Sequence, residues 1–282
     1  MAKKYSMLDY AMKRFFANKF AVLGLSVIVI LILTAIFAPI ICRFDPLEIN
    51  LENKLLAPNS TYWFGTDELG RDIFSRMVYG TRVSITIGLI SMGIASLLGI
   101  IIGSIAGYFG GKVDLLIMRV IEVVMCFPFM FLLLALIAYL PQSIYTIMVV
   151  IGLTRWTGIA RLIRGQFIAL REREFVMAAR TIGASNLRII FRHILPNAIT
   201  PVLISITFGI AGAILAESGL SFLGFGVPVP QPSWGNILAS GREYIDLAWW
   251  LMFYPGLAIF ITVTCYNLVG EALRDALDPR LR

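Results

Sequence analysis

Six long apolar runs decide what this chain can become. A stretch of about 20 apolar residues, wound as a helix, spans the roughly 30 Å hydrocarbon core of a bilayer. The sequence supplies such runs at 20–41, 83–108, 118–140, 144–159, 198–216 and 249–269. The fourth is the shortest and carries Arg155. The first lies too deep and runs too long for a cleaved signal, and no small-residue cleavage site follows it. With 59% hydrophobic and 15% charged residues, the chain holds more apolar side chain than a soluble core of its size would bury. The expected fold is an all-α integral membrane protein with six transmembrane helices.

Orientation follows from lysine and arginine, which gather on the cytoplasmic side of short loops. With the N-terminus inside, 18 of the 24 cations fall on cytoplasmic segments: before residue 20, around 108–119, from Arg155 to Arg192 and after residue 269. The flipped arrangement would place those same residues outside, so both termini are expected in the cytoplasm. The net charge of +7 then faces anionic lipid. No long Lys/Arg run is present, so nucleic acid is not expected as a partner. Two excursions, 42–80 and 217–248, are expected outside, with the pairs Tyr62-Trp63 and Trp249-Trp250 at the outer interface.

Small residues recur every four positions in the second run, at Ala95, Gly99, Gly103 and Gly107. Such a stripe admits another helix close to the backbone, so this helix is expected among neighbours rather than in lipid. A hinge or a pore-lining wall is the alternative. Cys42, Cys126 and Cys265 lack zinc or redox spacing and are read as packing residues. Asp67, Glu68 and Asp72 cluster outside without the spacing of a calcium loop. A single histidine leaves no basis for a histidine metal site or triad. No Gly-x4-Gly-Lys-Ser/Thr loop occurs, so this chain has no phosphate cradle of that kind.

The inner loop, 160–197, carries the most information. Ile163, Phe167, Leu170 and Phe175 recur at helical spacing, Gly183 is placed to stop a helix and Ser185 to cap the next, and Pro196 to break into the fifth span. Two short helices with a glycine corner are expected at the inner surface. An arginine-rich surface helix accounts for the basic residues, but not for the Ala178-Ala179 pair beside Gly183, a flat patch that another protein can approach closely.

Here the sequence resembles a family. Met177-Ala-Ala-x3-Gly183-x9-His-x-Leu195-Pro196 is similar to the EAA loop of ABC import permeases, Glu-Ala-Ala-x3-Gly-x9-Ile-x-Leu-Pro, with Met177 in place of the glutamate and His193 in place of the isoleucine. Three further blocks resemble the C-type subunit of dipeptide and oligopeptide permeases. They are Phe64-Gly-Thr-Asp-Glu-Leu-Gly-Arg-Asp-Ile-Phe-Ser-Arg76, Glu217-Ser-Gly-Leu-Ser-Phe-Leu-Gly-Phe-Gly226, and the ending from Asn267 to Arg280. The resemblance implies a type I importer permease that forms half a pore with a homologous B-type permease subunit. It implies two ATPase subunits inside, which hold ATP and Mg, and a peptide-binding protein outside, so that this chain binds no cofactor and is not itself an enzyme. It places Met177, Ala178, Ala179, Arg180, Gly183, Ala184, Ser185, Leu195 and Pro196 in the loop that docks on the ATPase. It also divides the chain into an N-terminal addition at 1–80, a permease domain at 81–270 and a tail at 271–282.

Two carboxylates are candidates for the translocation path. Glu122 faces either an aqueous path or Arg119 in an i,i+3 pair. Glu217 ends the fifth run and meets either the path, the docked binding protein or local structure. A nickel or metallophore importer remains the alternative within the fold. An ion-coupled secondary transporter or a membrane-anchored enzyme finds less support, since the chain shows one candidate buried carboxylate in Glu122, no convincing internal repeat and no catalytic constellation.

Overall fold

The computed structural model describes residues 7–277. Lys3, Lys4, Arg280 and Arg282, counted above on the inner side, and residues 278–280 of the C-terminal block lie outside them. The described chain is helical, with one isolated bridge between Thr66 and Asp72. Helix α1 (Met7–Ala17) leads into α2 (Lys19–Ile36), where the Asn18 side chain caps the helix by accepting from the Phe20 and Ala21 amides. A short α3 (Ala38–Ile41) follows, with proline in its first turn.

Helix α4 (Ile73–Phe109) begins well before the apolar run at 83. Asp72 caps it, accepting from the Ser75 amide at 2.8 Å. Its 37 residues reach about 55 Å, longer than the bilayer core. Just ahead of it, the other two carboxylates of the acidic cluster are committed to arginine: Arg71 meets Asp67 at 2.6 Å and Glu68 at 3.2 Å, and Arg76 meets Asp67 at 3.4 Å.

Helices α5 (Gly111–Met125) and α6 (Phe129–Ala138) replace the straight span expected at 118–140, and they are bent by 84°. Pro128 stands in the break; it donates no backbone hydrogen bond and disfavours helix at the residue before it. Helix α7 (Ile144–Leu170) runs on beyond the short apolar run at 144–159. The first half of the inner loop is therefore the end of α7 and not a separate helix. Two contacts hold this extension: Arg164 donates to both Asp114 oxygens at 2.5 and 2.6 Å, and Arg171 donates to the Gly107 carbonyl at 3.3 Å.

The small-residue stripe is the seam between α4 and α7. A Cβ at Gly99 would lie 2.6 Å from Ile159 Cβ, and one at Gly107 would lie 2.5 Å from Phe167 Cβ. Gly103 between them faces Ala160 and Ile163, and Gly152 faces Ile94. The paired positions climb together, so α4 and α7 are parallel. Parallel neighbours require the chain to return across the membrane between them, and only α5 and α6 lie there. The bent pair is one crossing, and the described residues make six, as the apolar runs predict.

Beyond α7 come α8 (Glu174–Thr181), α9 (Asn186–Arg188), a π-helical turn over 189–194, α10 (Leu195–Ala198) and α11 (Thr200–Phe222). Helix α11 packs on α4, with Gly88 against Ile210 and Ile214 and Gly209 against Met92. Arg155, inside the membrane region, donates to the Gly212 carbonyl at 2.9 Å and lies 4.5 Å from the Phe129 ring centre, while its Nε is buried without a hydrogen-bond partner. Helices α12 (Trp234–Gly241) and α13 (Trp250–Leu277) complete the bundle. Gly24 of α2 lies on the Cys265 carbonyl of α13, and Gly270 of α13 on Thr207 of α11.

The outer segment at 217–248 is no solvated excursion. Trp234 of α12 is 1% exposed, donates its indole N–H to the Met77 carbonyl at 3.2 Å, and donates its amide to Ser84 Oγ at 3.2 Å. Trp250 likewise leaves the interface expected for it: it is 3% exposed and donates to the Thr66 carbonyl at 3.1 Å, while Trp249 stays outside. A buried indole needs a partner for its N–H, and a backbone carbonyl supplies each one, Met77 of α4 for Trp234 and Thr66 of the outer loop for Trp250. Of the cysteines, Cys265 is buried and Cys42 half-buried, whereas Cys126 is exposed at the α5–α6 break and does not pack as expected.

Candidate functional site

The inner corner is built by local chemistry. Gly183 has φ +79°, a conformation that glycine adopts without steric cost, and it ends α8. Its amide donates to the Arg180 carbonyl at 2.9 Å, and the Ala184 amide to the Ala179 carbonyl at 3.0 Å, closing the helix end. Ser185 then caps α9, accepting from the Arg188 amide at 3.4 Å. Both sequence expectations at this corner hold.

One side of the corner is anchored and the other is free. Val176, Ala179, Ile189, Ile190 and Ile194 are buried with Ile163 and Phe167 of α7. Met177, Ala178, Arg180, Gly183 and Ser185 are exposed, Ala184 and Leu195 are half-buried, and Pro196 is exposed. Ala178 thus faces outward while Ala179 supports the loop from within, so the expected flat pair is a single outward alanine. Phe175, expected on the face of Ile163 and Phe167, belongs to α8 and turns out to solvent. The outward surface is apolar at its tip, where Ile182 is 85% exposed and Leu187 68%. Arg173, Arg180, Arg188 and Arg192 are exposed around it.

Sequence reasoning missed the residue that ties this corner to the bundle. Tyr108, near the inner end of α4, is 7% exposed. Its hydroxyl donates to Asn186 Oδ1 at 2.8 Å, and the Arg180 guanidinium lies over its ring at 5.5 Å. Its one sequence signal is its place directly after the glycine stripe and ahead of the Gly110-Gly111 turn.

The two candidate path carboxylates fall in different settings. Glu122 pairs with Arg119 at 2.8 Å, both exposed on α5. Glu217 is 0% exposed and accepts from Ser221 Oγ and Ser233 Oγ, each at 2.8 Å. The second bond joins the outer end of α11 to the cap of α12. Neither residue meets the inner loop. On the outer side, burial pushes the Cys42 thiol up to about 11, which leaves it a poor nucleophile at neutral pH.

Comparison with known proteins gives a consistent result. Residues 99–282 match the family described as binding-protein-dependent transport system inner membrane component, and residues 6–58 match the N-terminal TM domain of oligopeptide transport permease C. The chain is 42% identical over 280 residues to the oligopeptide transport system permease protein OppC of Bacillus subtilis, covering 99% of this chain and 92% of that protein. It is 42% identical over 272 residues to the dipeptide transport system permease protein DppC of Alkalihalophilus pseudofirmus, covering 96% and 90%. Among solved structures, an inward-facing MetNI methionine ABC transporter superposes with a TM-score of 0.57 at 17% identity, covering 71% of this chain and 95% of that one. At that identity the likeness speaks for the fold, which is that of an ABC type I importer permease. The multi-pass bundle, the arginine-ringed inner corner and the match over residues 99–282 agree: the chain belongs to the family of binding-protein-dependent transport system inner membrane components, as a plasma-membrane permease.

Proposed function

We propose that this chain is a pore-forming permease subunit of an ATP-driven, binding-protein-dependent importer of di- or oligopeptides. It pairs with a homologous B-type permease. Two ATPase subunits, which hold ATP and Mg, meet it from inside, and an extracytoplasmic peptide-binding protein delivers substrate from outside. Hydrolysis takes place on those ATPase subunits. The observation that carries this reading is the corner at Gly183. It presents an apolar tip with exposed arginines around it, fixed to a bundle whose relatives carry peptide-permease names. Those names also favour peptide over the nickel or metallophore alternative.

Movement of the ATPase pair displaces the loop and shifts the bundle between inward-open and outward-open states. A partner shifts such an equilibrium only if it binds the two states differently, so the docked loop must be held differently in each. A Cβ on Gly183 meets nothing within 4 Å, so a side chain there would project from the docking surface, although the φ of +79° strains arginine at this position. We expect Gly183→Arg to insert in the membrane, yet to weaken ATPase-subunit binding by about 10-fold or more, as bulk at the centre of an interface does. Gly183→Asn, which tolerates this backbone conformation, should retain uptake. Labelled dipeptide and oligopeptide uptake, with nickel in parallel, reads the outcome in a strain lacking the gene and in one with it restored. Normal peptide uptake by Gly183→Arg would sink the docking reading, and restored nickel uptake without peptide uptake would sink the substrate.

A further inference from the structure

We infer that Tyr108 is the positioning residue through which the inner corner moves α4, an inference that rests on the docking reading above. The corner has two arms, α8 before Gly183 and α9 after it. Tyr108 touches both. Arg180 of α8 lies over its ring at 5.5 Å, and Asn186 of α9 accepts from its hydroxyl at 2.8 Å. One buried phenol therefore closes the corner from the inside, and it does so from the last turn of a different helix.

The placement decides the role. The chain joins the corner directly to α7 and to α11, so movement reaches those helices through the backbone. Helix α4 has no such direct connection, because residues 110–173 separate it from α8. It packs on α7 along the glycine seam, and among the described residues its polar side-chain links at the corner are Tyr108 and Arg171, which donates to the Gly107 carbonyl. Arg171 follows α7 and lies ahead of α8, so its bond reports the position of α7. Tyr108 alone among these joins α4 to residues flanking Gly183. A corner pressed by a partner carries Arg180 and Asn186 with it, and α4 follows through the ring and the hydroxyl.

A residue that only fills space would need the ring and not the hydroxyl. The test uses the assembled complex in proteoliposomes, with binding protein and peptide, and reads peptide transported per ATP hydrolysed. Tyr108→Phe keeps the ring and the cation–π contact but loses the hydrogen bond; Asn186→Ala removes the acceptor. Each is expected to lower the transport-to-hydrolysis ratio by about 2- to 10-fold, the range spanned by one neutral hydrogen bond, while the ATPase subunits still copurify. The double variant should fall no further, since both changes remove the same bond. The inference is overturned if the ratio stays at the wild-type value in either variant, if the two losses add, or if loss of the ATPase subunits accounts for the whole effect. Gly183→Arg measured beside them separates the two ideas: failure of docking shows as retained binding and uptake in that variant, whatever Tyr108→Phe does.

Discussion

Single residues in this protein act mainly as fasteners between segments far apart in the chain. Glu217 is the plainest case: its carboxylate holds two serine hydroxyls and is sealed from solvent. Removing it leaves both hydroxyls without their acceptor, which costs about 1–3 kcal/mol in a buried setting. Glu217→Ala should therefore lower the thermal midpoint of the detergent-solubilised protein by several degrees, while Glu217→Gln, which keeps a carbonyl acceptor, should lose less. A melt identical to wild type for the alanine variant would show that the serines find other partners. The sequence revealed the residues with neighbours nearby in the chain. Gly183 and Ser185 act on backbone groups within five residues, and their turn chemistry is written locally. Tyr108 donates to a residue 78 positions away, and Trp234 and Trp250 reach 157 and 184 positions back. No local pattern encodes such partners.

At the scale of helices, hydropathy located the crossings and misplaced their ends. Polar residues stop an apolar run but not a helix: Arg164 continues α7 and Arg171 caps its end, because Asp114 and the Gly107 carbonyl receive them. Conversely, Pro128 broke a run that composition alone read as continuous. The glycine stripe predicted close packing, and its partner is α7. Gly103→Leu should force α4 from Ala160, since even a Cβ there overlaps that backbone. Overpacking costs typically about 1–3 kcal/mol and more where backbone is in the way. Gly93, Gly158 and Gly165 have nothing within 4 Å of an added Cβ, so alanine at each should be tolerated. Size-exclusion profiles after heating distinguish the two groups. Equal stability of Gly103→Leu and Gly158→Ala would contradict the seam.

For the whole molecule, apolar runs were enough to give the number of crossings among the described residues, because the bilayer sets the length of each, and the distribution of lysine and arginine predicts the side of each end. The parallel relation of α4 and α7 was not legible, as it depends on which helices meet. It makes a topological prediction. With the native cysteines replaced, Gln142→Cys should react with a membrane-impermeant maleimide from outside intact cells, and Lys112→Cys should react only after the membrane is opened. Lys112 stands in the first turn of α5 and Gln142 just beyond α6, at the two ends of the bent pair. Labelling of both from the same side would mean that α5 and α6 dip into the membrane and return.

The unbroken length of α4 has a mechanical consequence. The helix contains no proline, whereas α13 carries Pro255 and the α5–α6 pair is severed at Pro128. If Gly99 in the seam serves as fulcrum, the arm toward the cytoplasm is about 15 Å and the arm toward the outside about 40 Å at 1.5 Å per residue. A stiff beam on that fulcrum swings its far end opposite to its near end, and roughly two to three times as far. An inward push of a few ångströms at Tyr108 then becomes a larger, reversed sweep at the outer rim, so one beam would draw the inner side together as it parts the outer.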